Sequence, residues 1–101
     1  MSAQRECQAI AIVRYGKDEA SGGRSYVIRR RAYMEVAIPK PDGELGWYDG
    51  YVQSRTGYFR LWDRSCFENI VLRRLSPRVY KGIGHVGGKG CTVSVYLWPG
   101  Q

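Results

Sequence analysis

At 101 residues the chain is long enough for one domain with a single core, expected to span residues 1–101, and too short for two. Hydrophobic residues make up 44% and charged residues 25%, ordinary for a globular domain, and no apolar run approaches the ~20 residues of a transmembrane helix. The formal net charge is +7, so the expected partners are acidic: nucleic acid or a nucleoprotein complex first, an acidic protein second, with no membrane role.

From the N-terminus, Met1 to Glu6 is polar with no apolar stretch behind it, and no signal peptide is expected. Three cysteines, Cys7, Cys66 and Cys91, are far apart, with no C-x-x-C and a single histidine. That pattern argues against a zinc site or a disulfide framework and for a reduced, cytoplasmic protein without metal or cofactor. "QAIAIVRYG" reads as a first strand and "KDEASGGRS" as a loop. "YVIRRRAYMEVAI", Tyr26 to Ile38, alternates: Tyr26, Ile28, Ala32, Met34, Val36 and Ile38 fall on one side, interrupted only by Arg30. Period two predicts one long, half-buried strand. It puts Arg29, Arg31 and Tyr33 on the other face as a basic and aromatic stripe, and leaves Arg30 in need of a partner.

"PKPDGELG" then forces a turn, and "WYDGYVQS" and "YFRLW" predict a hairpin around Arg55-Thr56-Gly57. Next, Ser65-Cys66-Phe67-Glu68 fits the S-x-x-E capping box, with Phe67, Ile70, Val71 and Leu75 at helical spacing behind it. Arg73 and Arg74 would then complement the negative end of a helix that Ser76-Pro77 stops. "RVYKGI" and "CTVSVYLW" close the chain as strands. The expected fold is therefore α+β: a small, mainly antiparallel sheet or partly open barrel of about five to six strands, with one short helix near residues 65–75.

Between the last two strands, "GIGHVGGKG" spells a dinucleotide-binding G-x-G-x-x-G in letters only. That motif must open a helix, and here a β-branched, alternating strand follows. A phosphate loop is equally ruled out, since Ile83 and Gly90 stand where it needs glycine and Ser or Thr. A hairpin bend is expected, with Gly87, Gly88 and Lys89 as a secondary candidate for a small anion loop.

"GWYDGYVQSRTGYFRLW", Gly46 to Trp62, carries W-x-x-G and T-G-Y spacing that resembles the hairpin region of SH3-like barrels. The resemblance covers about a sixth of the chain and implies a small twisted β barrel, with no implication for ligand. Trp47, Tyr48, Tyr51, Tyr58 and Trp62 also interleave with Arg55, Arg60 and Arg64 as a binding surface would, the alternative being that Trp62 and Trp47 form the core of a small barrel.

Twelve of the sixteen basic residues are arginine, whose planar fork suits phosphate. They concentrate in Arg24–Arg31 and Arg55–Lys81, whereas Glu35–Asp49 is acidic. Arginine interleaved with tyrosine predicts a non-catalytic binding module that contacts nucleic acid through phosphates. Arg29, Arg31, Tyr33, Arg55, Tyr58 and Arg60 form its expected first patch, and Arg73, Arg74 and Arg78 a second. A small accessory or inhibitor protein of phage or mobile-element type, using the same surface against an acidic protein, is the alternative. A ribonuclease-like hydrolase built on Glu68, His85 and Arg60 comes third, with a Cys91–His85 nucleophile pair as a further catalytic candidate. Edge strands leave a homodimer open.

Overall fold

The computed structural model describes residues 5–21, 25–29, 33–53 and 56–98. Among them nine strands and no helix occur. They are β1 (Arg5–Tyr15), β2 (Asp18–Ser21), β3 (Ser25–Arg29), β4 (Tyr33–Pro39) and β5 (Leu45–Val52), followed by β6 (Phe59–Asp63), β7 (Asn69–Ser76), β8 (Val79–Val86) and β9 (Lys89–Leu97). Every pairing is antiparallel. The ladder runs β1-β3-β4-β5-β6-β7-β8-β9, and the sheet curls until β9 pairs with β1 over Ala9–Arg14. β2 extends β1 along its C-terminal half, next to the stretch that pairs with β3.

Alternation decides which side of each strand is inside. In β9, Cys91, Val93, Val95 and Leu97 are buried, while Thr92 and Tyr96 are exposed and Ser94 is half-buried. In β1, Ala9, Ala11, Val13 and Tyr15 point inward, and in β4 Met34, Val36 and Ile38 do so. With Tyr48, Leu61, Ile70, Leu72, Tyr80 and Val86 they make one apolar interior. Each fully buried aliphatic side chain contributes roughly 1.5–3 kcal/mol, so the curl closes around its own driving force. The buried tyrosines keep their polar tips satisfied: Tyr15 donates to the Pro39 carbonyl at 2.6 Å and Tyr48 to that of His85 at 3.2 Å.

Glycine supplies the tightest approaches between strands. A Cβ on Gly82 would collide with the Val71 carbonyl, and one on Gly50 with the Arg60 carbonyl. Both face inward, so β8 and β5 press closer to their neighbours than any side chain would permit.

Three expectations are corrected. The helix near 65–75 is strand β7, and the fold is all-β rather than α+β, with more strands than the five to six expected. Ile70 and Leu72 go in while Val71 and Arg73 face out, so period two wins over the helical spacing that Ile70 and Val71 also fit. β-branched residues favour that outcome, and ladders to β6 and β8 on both edges complete it. Second, the single long strand over Tyr26–Ile38 is a hairpin, β3 and β4, with Val27 opposite Val36 and Arg29 opposite Met34. Third, the expected loop after β1 contains β2. Trp47 and Trp62 are half-buried on the outer face, and tyrosines fill the aromatic share of the core.

The Gly82–Gly90 segment bends as a hairpin. Gly87 and Gly88 form the two-residue turn between β8 and β9, with φ of 61° and 79°, as a primed turn requires. No helix among the described residues is long and apolar enough to cross a membrane.

Candidate nucleic-acid interface

Charge divides the outer surface. From Asn69 to the C-terminus the sequence holds Arg73, Arg74, Arg78, Lys81 and Lys89 and no aspartate or glutamate. That stretch is β7, β8 and β9, one continuous wall of the curled sheet. Glu35 and Asp49 stand opposite each other on β4 and β5, and Asp42, Glu44, Asp63 and Glu68 lie in or beside the connecting loops.

Across the basic wall the register assembles one stripe. Tyr51 on β5 is directly opposite Arg60 on β6, and Arg60 is opposite Val71. Arg73, two residues beyond Val71, is therefore diagonal to Arg60, at roughly 7–8 Å between backbones. Arg73 is directly opposite Lys81, and the Lys81 ammonium lies 5.8 Å from the centre of the Tyr96 ring. Tyr51, Arg60, Arg73, Lys81 and Tyr96 are all exposed. Among the described residues, no carboxylate lies within salt-bridge distance of Arg60, Arg73, Arg74 or Arg78. Beside the stripe lies Ile83, 66% exposed.

Tyr33 lies in a different environment. Its hydroxyl donates to Asp49 at 2.6 Å and reaches Glu35 at 3.4 Å, and burial together with these two carboxylates holds its proton on far above the usual tyrosine range. Its ring packs against Tyr51 at 5.1 Å. Arg64 pairs with Glu35 at 3.8 Å, an exposed contact worth little in water. Arg29 is on β3, opposite Met34, and does not share a strand with Tyr33. Arg30, Arg31 and Arg55 lie outside the described residues. Tyr58 is exposed just before β6, and Arg78 is exposed in the β7–β8 turn. Arg74 is exposed at the irregularity that ends β7.

The glycine turn holds an anion that belongs to the protein. The Gly87 and Gly88 N–H groups donate to the two carboxylate oxygens of Glu68, at 3.0 and 2.6 Å. Lys89 is exposed beside them. The capping-box residues thus serve a loop: Asp63 Oδ1 accepts from the Phe67 and Glu68 N–H groups, both at 3.0 Å, and Oδ2 accepts from the Ser65 hydroxyl at 2.6 Å. Burial pushes the Asp63 carboxyl up, but these hydrogen bonds outweigh it and leave the carboxyl below its ordinary range.

His85 is exposed and opposite Gly90, whereas Cys91 is buried and opposite Gly84. The two side chains therefore occupy opposite faces of the hairpin. Burial, with the charge of Glu68, also pushes the Cys91 thiol up, away from the thiolate a nucleophile needs. Of the three groups considered for hydrolysis, Glu68 is bound to the glycine turn, while Arg60 is in the stripe.

Lys81, Tyr96 and Ile83 were not singled out from the sequence. The absence of acid after Glu68 was there to be seen, but which of its cations share a face depended on register. Comparison with family models, with curated proteins and with solved structures finds no match for this chain.

Proposed function

We propose that the chain is a non-catalytic binding module whose β6–β9 wall contacts the phosphates of a nucleic acid, alone or within a nucleoprotein complex. The observation that carries this is the stripe Tyr51–Arg60–Arg73–Lys81–Tyr96, whose β7–β9 part lies on strands that hold no aspartate or glutamate. Arg73 and Lys81 face each other as like charges on neighbouring strands. At about 5 Å in water they repel by roughly 0.8 kcal/mol, a cost that an anion seated between them removes. Arginine forks suit phosphate oxygens, and an exposed tyrosine at each end of the stripe offers a face for a base. Such binding would carry little sequence readout, because phosphate contacts position a nucleic acid without reading it.

The test is titration with short single- and double-stranded DNA and RNA across a range of salt. With three phosphate contacts, from Arg60, Arg73 and Lys81, the log of affinity should fall against the log of salt with a slope of about −2 to −3. Absence of binding at low salt would overturn the proposal and leave an acidic protein as the partner to seek.

A further inference from the structure

Where on the wall a nucleic acid is gripped most closely follows from β9. Its outward residues, Thr92, Ser94 and Tyr96, carry three hydroxyls in a row, between β8 on one side and β1 on the other. Thr92 is opposite Arg14, and Ser94 is opposite Lys81 and Ile12. These six residues line a shallow hollow in the outer surface. Its chemistry is specific: short hydroxyl donors from Thr92 and Ser94, the Lys81 ammonium at one rim, the exposed Arg14 at the other, and the Tyr96 ring at one end. Arg14 also stands in register with Glu19 of β2.

We infer that this hollow is a phosphate seat for single-stranded nucleic acid, with an adjoining base stacked on Tyr96. The inference rests on the phosphate-binding reading above and sharpens it to one strand type and one place. Ser94 and Thr92 can donate to phosphate oxygens while Lys81 supplies the charge. The contact that Lys81 now makes with the Tyr96 ring, at 5.8 Å, is an exposed cation–π interaction worth about 0.5–1 kcal/mol. The ammonium can therefore exchange it for a phosphate at small cost. Single strands are selected because a base can lie on an isolated tyrosine ring only when it is free of its own stack and partner.

The experiment compares wild type with Tyr96→Leu, Tyr96→Phe and the double variant Thr92→Val/Ser94→Ala. Each is titrated with twelve-residue oligo-uridine, oligo-thymidine and a mixed duplex of about the same length. Loss of a stacked base is worth about 1–3 kcal/mol, so Tyr96→Leu should weaken single-strand binding roughly 5- to 150-fold. Tyr96→Phe should stay within about twofold of wild type, since the ring face remains. The Thr92→Val/Ser94→Ala variant should weaken single strands by about 5- to 30-fold, one to two net hydrogen bonds. Duplex affinity, which uses no stacked base, should fall far less than single-strand affinity in all three, and ultraviolet cross-linking of the bound oligo-uridine should map to Tyr96. A preference between uridine and thymidine strands would tell RNA from DNA as the ligand.

Wild-type binding with a steep salt slope but no loss in Tyr96→Leu would overturn the seat and leave the phosphate reading standing. Equal losses on duplex and single strand would overturn the seat too, because they mark a change in the wall itself. No binding by wild type at low salt would remove both.

Discussion

Asp63 does the work of a helix cap in a loop that no helix follows. Its carboxylate ties down the N–H groups of Phe67 and Glu68 and the hydroxyl of Ser65, in the stretch that carries the chain from β6 back into β7. Replacing an aspartate in such a position by alanine costs about 1 kcal/mol and up to about 2. Asp63→Ala should lower unfolding free energy by that amount in a urea titration. The pH behaviour has a definite sign. A carboxyl held below its ordinary range gives full stabilisation above the unfolded value near 4, and loses it as pH falls through the lower folded value. Stability of the wild type should therefore decline on the acid side of about pH 4, and Asp63→Asn should flatten that decline. An unchanged acid limb in Asp63→Asn would assign the loss to other carboxylates. Glu68 is the second such residue. Both its oxygens accept from the glycine turn, and glutamine keeps only one acceptor, so Glu68→Gln should cost about 1 kcal/mol in the same assay.

Strands in this fold are limited by their inward glycines. Gly82 has no room for a Cβ against the Val71 carbonyl, whereas Gly88 has φ of 79° and nothing within 4 Å of where a Cβ would stand. Gly82→Ala must push β7 and β8 apart and should destabilise by about 3 kcal/mol or more. Gly88→Ala meets only the left-handed backbone penalty of roughly 1–2 kcal/mol. Thermal unfolding of the pair should rank them in that order; equal shifts would mean that the close β7–β8 approach is not a constraint. The same elements show what was legible in the residues alone. β9 was readable because Cys91, Val93, Val95 and Leu97 alternate without interruption, and the β5–β6 hairpin because glycine and aromatic residues bracket it. β7 reads as a helix in the sequence because Phe67, Ile70, Val71 and Leu75 fit helical spacing behind a capping signal, whereas only Ile70 and Leu72 mark period two. β3 and β4 read as one strand because the alternation runs from Tyr26 to Ile38 with Arg30 as its single interruption. Yet Val27 is opposite Val36, so parity changes between β3 and β4, and counting along the chain does not detect it. For the candidate interface, Arg60 and Arg73 were legible as exposed cations, but their juxtaposition with Lys81 and Tyr96 is a product of register between strands that distant segments supply.

At the scale of the whole molecule, the decisive property is that charge is sorted by face. A net charge of +7 by itself would attract any polyanion weakly and from all sides. The stripe on β6–β9 is instead concentrated within a few strand spacings, while Lys40 and Arg64 belong to the other end, near Asp63 and Glu68, where they line a separate cleft. Screening at physiological salt has a length of about 8 Å, comparable to the diagonal separation of Arg60 and Arg73. On the proposed reading the cations of the stripe would act together on one phosphate chain, and the distant ones would not. Two double variants with identical net charge separate these cases: Arg60→Glu/Arg73→Glu on the wall and Lys40→Glu/Arg64→Glu at the opposite end. Both lower the net charge from +7 to +3, by four units. The wall variant should lose binding by about a hundredfold or more at moderate salt and reduce the magnitude of the salt slope by about 2, one for each phosphate contact removed. The other variant should retain its slope and fall only by the few-fold that reduced long-range attraction explains. Equal losses in the two would mean that total charge, rather than the face that carries it, governs association.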